Sequence, residues 1–230
     1  MTYSDYRRVA RENLTGNWPL SIGVGAVACL LGGLIIGTSF IPEFNFRIEG
    51  QDISSISDLL NLLTASGGAS AFGLGSALAL VQLIIGGVIQ LGYARYLLKQ
   101  HNRASFELQD LFSQFDRFGQ GFLQSFLRGL YVFLWSLLFV IPGIVKGYAY
   151  AMTPFIMAEN PDMTANEAIT ASRELMDGHK GELFILDLTF IGWDLLAALS
   201  LNLGHLALNP YKNAAYAAFY KDLTAPKTNY

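Results

Sequence analysis

The sequence predicts an all-α integral membrane protein, with about six transmembrane helices in three hairpins that each follow an amphipathic helix on the inner face. Hydrophobic residues make up 52% of the 230 residues and charged residues only 14%, whereas soluble domains are about a quarter charged. Residues 20–40 carry no charged side chain, and a helix of that length crosses a hydrocarbon core about 30 Å thick. An Arg-Glu pair with a glycine four residues after the Glu occurs twice, beginning at Arg11 and at Arg173. This echo indicates a chain built from related units.

The apolar segments predict where the chain crosses the membrane, and they are residues 20–41, 74–98, 122–141, 143–158, 183–203 and 206–220. The third and fourth are nearly continuous, and a single helix of their combined length would measure about 54 Å, far more than a bilayer needs. Pro142 and Gly143 lie between them and favour a tight helical hairpin. A weaker break at 202–210 separates the last pair. If 143–158 and 206–220 are re-entrant, the alternative is four spans.

The distribution of charge predicts the orientation of these spans. Six spans place the basic residues of 7–11, 95–117, 173–180 and 221–227 on one side of the membrane. The loop 42–73 then falls on the other side, and it contains one basic residue, Arg47, and four acidic residues. Because lysine and arginine collect on the cytoplasmic side, both termini are predicted to be cytoplasmic.

Three amphipathic segments precede hairpins. Residues 165–177 follow a capping box, Thr164 with Glu167, and end before Gly178. The N-terminal segment ends before Gly16, and its apolar face consists of Tyr6, Val9, Ala10 and Leu14. The third segment runs through 107–123 and is predicted to end at Gly119, with a stripe of Leu108, Leu111, Phe112, Phe115 and Phe118. We expect all three to lie on the inner face of the membrane.

A repeated unit would explain this order: an inner-face helix, a glycine stop, a span, an outer turn and a second span. The copies would be residues 1–105, 106–160 and 161–222 of a single membrane domain, 1–230, whose polar tail is 223–230. The outer turns would contain Pro42, Pro142 and Pro210. The alternative is that such helices and glycine stops are simply frequent at membrane borders. Within the first outer loop, helical spacing over 53–63 predicts a short surface helix.

Two phrases carry a resemblance that covers nearly the whole chain. They are "LYVFLWSLLFVIPGIVKGYAYAMTPFIMAENPDMTANEAITASRELMDGHKGELFILDLTFIGW" and "NPYKNAAYAAFY", and the most specific part is 106–220. With them the sequence resembles a bacterial family of multi-pass membrane proteins known as domain of unknown function 975. The resemblance implies an integral protein of the plasma membrane of Gram-positive-type bacteria, and it implies no activity.

Ionisable residues inside the predicted spans are the candidate site, since each costs about 2.5–3.5 kcal/mol or more at a helix centre. They are Arg128, Asp187, Asp194 and Lys146. Matched depth and opposite charge predict that Arg128 pairs with Asp187, and Lys146 enters from the outer side toward Asp194. One interpretation is an intramembrane polar path or an anion or proton site. The other is a set of interhelical ion pairs that fix packing, with Lys146 and Lys212 reaching the outer surface.

No motif points to catalysis, a metal, a cofactor or nucleic acid. The sequence lacks H-E-x-x-H, G-x-S-x-G and P-loop patterns, and it contains three histidines and one cysteine. No catalytic residue is therefore assigned, and we expect a protein that is not an enzyme.

Two function classes follow. The first is a small transporter, channel or export factor, which would need a continuous cavity lined by the candidate charges. The second is a non-transporting membrane module that binds lipid or a membrane-protein partner, and it predicts a solid bundle with an exposed apolar groove. Membrane lipids are the expected partners in both, together with a membrane-protein partner or a second copy of the chain.

Overall fold

The computed structural model describes residues 2–32, 69–138, 140–200 and 204–225, which are helical throughout apart from their connections. This confirms the all-α class. Within these ranges no helix by itself has the length and hydropathy of a membrane span, and the first two helices reach them only jointly, across a bend of 103°. Pro42 and the helix predicted at 53–63 lie outside the described residues.

The first three helices are α1 (Tyr3–Leu14), α2 (Trp18–Gly32) and α3 (Ala69–His101). The predicted amphipathic helix α1 is confirmed, and Gly16 turns the chain into α2 with a φ of 85°, a left-handed conformation that favours glycine. Helices α2 and α3 run antiparallel, because Ser21 bonds Gln100 at 2.9 Å while Leu30 accepts from Gln82 at 3.1 Å.

The segment after α3 differs from its prediction. Two short 3₁₀ turns, Leu108–Phe112 and Phe115–Arg117, replace the third amphipathic helix. Contacts with α3 hold these turns in place, since the Leu111 carbonyl abuts Gly92 and Lys99 forms an ion pair with Asp110. The predicted stop at Gly119 is also wrong, because helix α4 (Phe118–Leu138) starts one residue earlier and contains it.

The predicted hairpin after α4 is confirmed. Helix α5 (Val140–Ala149) folds back on α4, so that Gly143 abuts Ser136, Lys146 lies over Trp135 and the rings of Tyr131 and Tyr150 are 6.2 Å apart. Pro142 lies in the first turn of α5, where a missing backbone donor is tolerated. A break at 150–152 then separates α5 from α6 (Thr153–Glu159), so the predicted span 143–158 consists of two helices.

The C-terminal part contains α7 (Ala165–Leu175), α8 (Lys180–Leu188), α9 (Ile191–Leu199) and α10 (His205–Thr224). The capping box of α7 is confirmed, and Gly178 has a φ of 80°, close to that of Gly16. The predicted span 183–203 is broken between α8 and α9 at Thr189 and Phe190. The chain reverses after α9, and Gly204 packs on Ala197.

Pro210 does not lie in the outer turn predicted for it. Helix α10 begins at His205, so Pro210 falls inside it. It packs there against Gly25 of α2, where the absence of a side chain leaves room for the proline ring.

The two ends of the described chain meet. Tyr6 of α1 donates a 2.6 Å hydrogen bond from its hydroxyl to Asp222, and its ring meets Phe219 edge-on at 5.3 Å. Helix α10 also packs against α2, α3 and α9, and it is buried along the segment 212–220. The core therefore forms around α3 and α10.

Candidate functional site

Asp187 of α8 is the centre of a polar cluster between three helices. Its carboxylate accepts a hydrogen bond of 2.8 Å from the Tyr148 hydroxyl of α5 and a second, short one from the Tyr216 hydroxyl of α10. Hydrogen bonds to a charged group are among the stronger ones in proteins. The half-buried carboxylate is thereby held by two donors and joins α5 and α10 to α8.

Asp194 of α9 binds a buried cation. The Lys212 ammonium lies 3.1 and 3.3 Å from its two oxygens, and His205 Nε2 lies 3.8 Å from one of them. The Lys212 side chain is only 6% exposed, and its Nζ also lies 5.9 Å from the centre of the Phe190 ring. Lys212 therefore does not reach the outer surface, contrary to the sequence interpretation.

The Asp187–Tyr216 contact and the Asp194–Lys212 pair lie one after the other along α10, and together they are called the ladder. Lys212 and Tyr216 are four residues apart on one helical face, and Asp187 and Asp194 are seven apart on the facing chain. Sequence reasoning missed Lys212 as a site residue, although its spacing from Tyr216 was the available signal.

The predicted pair of Arg128 and Asp187 is not formed. Arg128 donates at 3.0 Å to the side-chain oxygen of Gln90, a residue of α3 that is 3% exposed. The reason is the packing of α4, in which Gly121 lies against Gly87 of α3. This contact directs Arg128 to α3, whereas α8 packs against α5.

Lys146 lies in a cleft of its own, away from Asp194. Its ammonium is 4.7 Å from the centre of the Trp135 ring, within the range of a cation–π contact. The cleft, between α4, α5 and α7, has a volume of about 270 Å³ and is lined by Tyr131, Trp135, Lys146, Tyr150, Asn166, Ile169, Thr170 and Arg173. The four predicted charges thus occupy three places: Asp187 and Asp194 share the ladder, and Arg128 and Lys146 stand apart.

The cleft residues come from a regular pattern that sequence reasoning did not use. The cleft is lined by side chains four residues apart: Tyr131 with Trp135 in α4, Lys146 with Tyr150 directly after the end of α5, and Asn166 with Thr170 in α7. Residues at this spacing share a helical face. The spacing identifies one face on each of three segments, but only the packing of α7 on the α4–α5 hairpin brings these faces together.

No group of three or more His, Cys, Asp or Glu side chains in the described ranges could hold a metal ion. In the ladder, one carboxylate is instead matched in charge by an ammonium, and the other accepts hydrogen bonds from two neutral hydroxyls. The ladder can hold α5, α8, α9 and α10 in register. The cleft around Lys146 is a separate site that is open at the surface of the described helices.

Comparison with known proteins gives one match. No curated protein and no solved structure matches the chain. One family model matches residues 137–227. This segment begins near the end of α4 and includes both the ladder and Lys146, whereas Arg128 lies before it. Residues 137–227 match the model of the family described as "Protein of unknown function (DUF975)", which supports the resemblance drawn from the sequence.

Proposed function

We propose that this chain is a multi-pass protein of the bacterial plasma membrane, with both termini cytoplasmic, that acts as a non-transporting module binding lipid. A membrane-protein partner or a second copy of the chain is part of the same proposal. The carrying observation is a large apolar surface on the described helices. A transporter, channel or export factor is the competing function, and the experiment below distinguishes the two.

The apolar surface covers both C-terminal hairpins. Leu137, Ile141 and Leu199 are each more than 70% exposed, close to full exposure for large aliphatic side chains. Along α4 and α5 the exposed residues are Leu123, Phe126, Leu130, Phe133, Leu134, Trp135, Leu137, Ile141 and Val145. Along α8 and α9 they are Phe184, Ile185, Leu188, Ile191, Trp193, Leu195, Leu196 and Leu199. Apolar surfaces made of this many exposed large side chains are typical of contact with a membrane or another protein.

The polar groups favour a module over a transport path. Asp194 is paired with Lys212, the Asp187 carboxylate accepts from two tyrosine hydroxyls, and Arg128 donates to a buried glutamine. Of the four predicted charges only Lys146 lines the cleft. Charges that are already paired in this way contribute to helix register without requiring a moving solute.

The experiment is reconstitution into vesicles of phosphatidylglycerol and phosphatidylethanolamine, followed by an alkaline carbonate wash and flotation. We expect the protein to stay with the vesicles. The triple variant Phe133→Gln, Leu137→Gln and Ile141→Gln is expected to lower the retained fraction at least about twofold, because each glutamine brings an amide into the hydrocarbon region.

The matched control carries the same kind of change at Leu108→Gln, Phe112→Gln and Phe115→Gln. These residues are 40–43% exposed, on the two 3₁₀ turns that precede α4. We expect the control to remain in the vesicles. Loss of the unmodified protein in the carbonate wash would contradict the membrane proposal.

The same vesicles test transport. A pH-sensitive dye inside them reports proton entry under an imposed gradient, with valinomycin and potassium to balance charge. We expect no flux above protein-free vesicles. A flux that depends on protein and disappears in Asp187→Asn would overturn the non-transporting module in favour of a channel or transporter.

A further inference from the structure

We propose that the cleft between α4, α5 and α7 binds a phosphate-bearing anion, and that its ligand is the headgroup of an anionic lipid. The proposal names the lipid class for the function proposed above and rests on it for the source of the ligand. Its site is separate from the ladder of Asp187 and Asp194.

The cleft is built from fixed helices. The Ser172 hydroxyl of α7 donates to the Ala149 carbonyl at 2.9 Å, and the Ala165 amide of α7 donates to the side chain of Gln120 in α4 at 3.2 Å. Helix α7 is therefore attached to the hairpin at both of its ends. The cleft is held open between these attachments and does not depend on a loop.

Its charge is positive. Lys146 and Arg173 line it from two different helices, and no carboxylate side chain is among its lining residues. Neither cation forms an ion pair with a carboxylate in the part of the chain that the structure describes. Two cations in one concave site with no opposing acid attract an anion, and arginine matches phosphate oxygens with paired donors.

Its aromatic residues indicate where the ligand comes from. Trp135 and Tyr131 stand beside the cations, and tryptophan and tyrosine are enriched at the level of lipid headgroups. Trp135 is 40% exposed and continues into the apolar surface of α4 and α5. An acyl chain could thus follow that surface while its phosphate occupies the cleft. The volume of about 270 Å³ suits a headgroup and is below the range of larger ligands.

The experiment uses Trp135 as the reporter. In a Trp18→Phe and Trp193→Phe background, Trp135 is the remaining tryptophan, since the chain has three. The purified protein in a neutral detergent is titrated with dihexanoyl phosphatidylglycerol, with dihexanoyl phosphatidylcholine and with inorganic phosphate, and Trp135 emission is recorded.

We expect a saturable change with phosphatidylglycerol. Lys146→Gln with Arg173→Gln should weaken its apparent affinity at least about tenfold, because two charge-assisted hydrogen bonds are lost. The matched control, Arg8→Gln with Lys180→Gln, makes the same change in net charge on surface ion pairs and should stay within about twofold. Circular dichroism and vesicle retention of both double variants verify that they fold.

The arms separate the outcomes. Weaker binding of phosphatidylcholine and of inorganic phosphate supports an anionic lipid. Equal binding of phosphatidylglycerol and inorganic phosphate supports the phosphate site and assigns it to free phosphate. Equal binding of the two lipids, no response at all, or a response unchanged in the cleft variant would overturn the proposal. If the protein is retained in vesicles while Trp135 does not respond, the proposed function stands and the site falls.

Discussion

The Lys212 ammonium of α10 lies 3.1 Å from the Asp194 carboxylate of α9, and its side chain is almost fully buried. A charge placed there without its partner would lose both solvation and attraction.

The first prediction concerns this pair. We expect Asp194→Asn to lower the free energy of unfolding by about 1–3 kcal/mol, because it leaves the buried Lys212 without a counter-charge. Asp194→Leu with Lys212→Met should be less harmful, since it removes both charges and keeps apolar volume. Unfolding in detergent, followed by circular dichroism, measures all three. A double variant no better than Asp194→Asn would show that the loss does not come from an unpaired charge on Lys212.

The second prediction concerns the hydroxyl groups on Asp187. Tyr216→Phe removes one hydrogen bond to the carboxylate from a side chain that is 2% exposed, and we expect a loss of about 1.5–3 kcal/mol. In a double-mutant cycle with Asp187→Asn, the loss of unfolding free energy in the double variant should be smaller than the sum of the losses in the two single variants. Strict additivity would mean that the short contact between Tyr216 and Asp187 contributes no coupling.

The third prediction uses glycines at a helix contact. A methyl group at Gly92 would clash with the backbone of Leu111, so Gly92→Ala should cost about 1–3 kcal/mol by overpacking. Gly129 of α4 has no neighbour where its methyl group would lie, and Gly129→Ala is the matched control. It should be neutral or stabilise by up to about 1 kcal/mol, because alanine favours the helix. Equal effects at the two positions would contradict the close packing of α3.

The fourth prediction concerns acid stability at Asp222. Burial is the largest influence on this carboxyl and acts to raise its pKa, but the hydrogen bond from Tyr6 and nearby positive charge, including that of His179, together outweigh burial and hold the pKa below its usual range. A group with a lowered pKa in the folded state stabilises above its unfolded pKa, about 3.9, and that stability is lost as pH falls through the folded value.

Tyr6→Phe should therefore raise the pKa of Asp222 and be less stable than the unmodified protein at pH 7. The difference should begin to narrow below about pH 4, where the unfolded chain takes up the proton, and should shrink further as pH falls through the lowered pKa of the folded protein. Unfolding at pH 7 and pH 3 tests this expectation. A difference that is the same at both pH values would assign the effect to ring packing alone.

Local signals predicted local structure well. The capping box at Thr164 and the glycines at 16 and 178 gave the ends of α1 and α7, since caps and left-handed residues act within a few residues. Pro142 indicated a nearby reversal, but it lies in the first turn of α5 and not in the outer turn predicted for it. The threefold repeat stays a prediction, although the two glycine turns have the same geometry.

The candidate site was predicted only in its residue types. Depth along a helix does not reveal which neighbour a side chain faces, and so Arg128 was assigned to Asp187 when the glycine contact directs it to Gln90. The 3₁₀ turns at 108–117 were missed because an apolar stripe is compatible with either helix type until tertiary contacts decide. Lys212 was missed because its burial depends on the hairpin that creates Asp194 as its partner.

The contact between Tyr6 and Asp222 joins residues 216 positions apart. Because α10 follows α1 along the chain, a ribosome completes α1 before the helix that packs on it exists. Until α10 is made, the apolar side of α1, with Tyr6, Ala10 and Leu14, lacks that packing partner. A nascent chain stalled before α10 would leave that side without the cover that α10 provides.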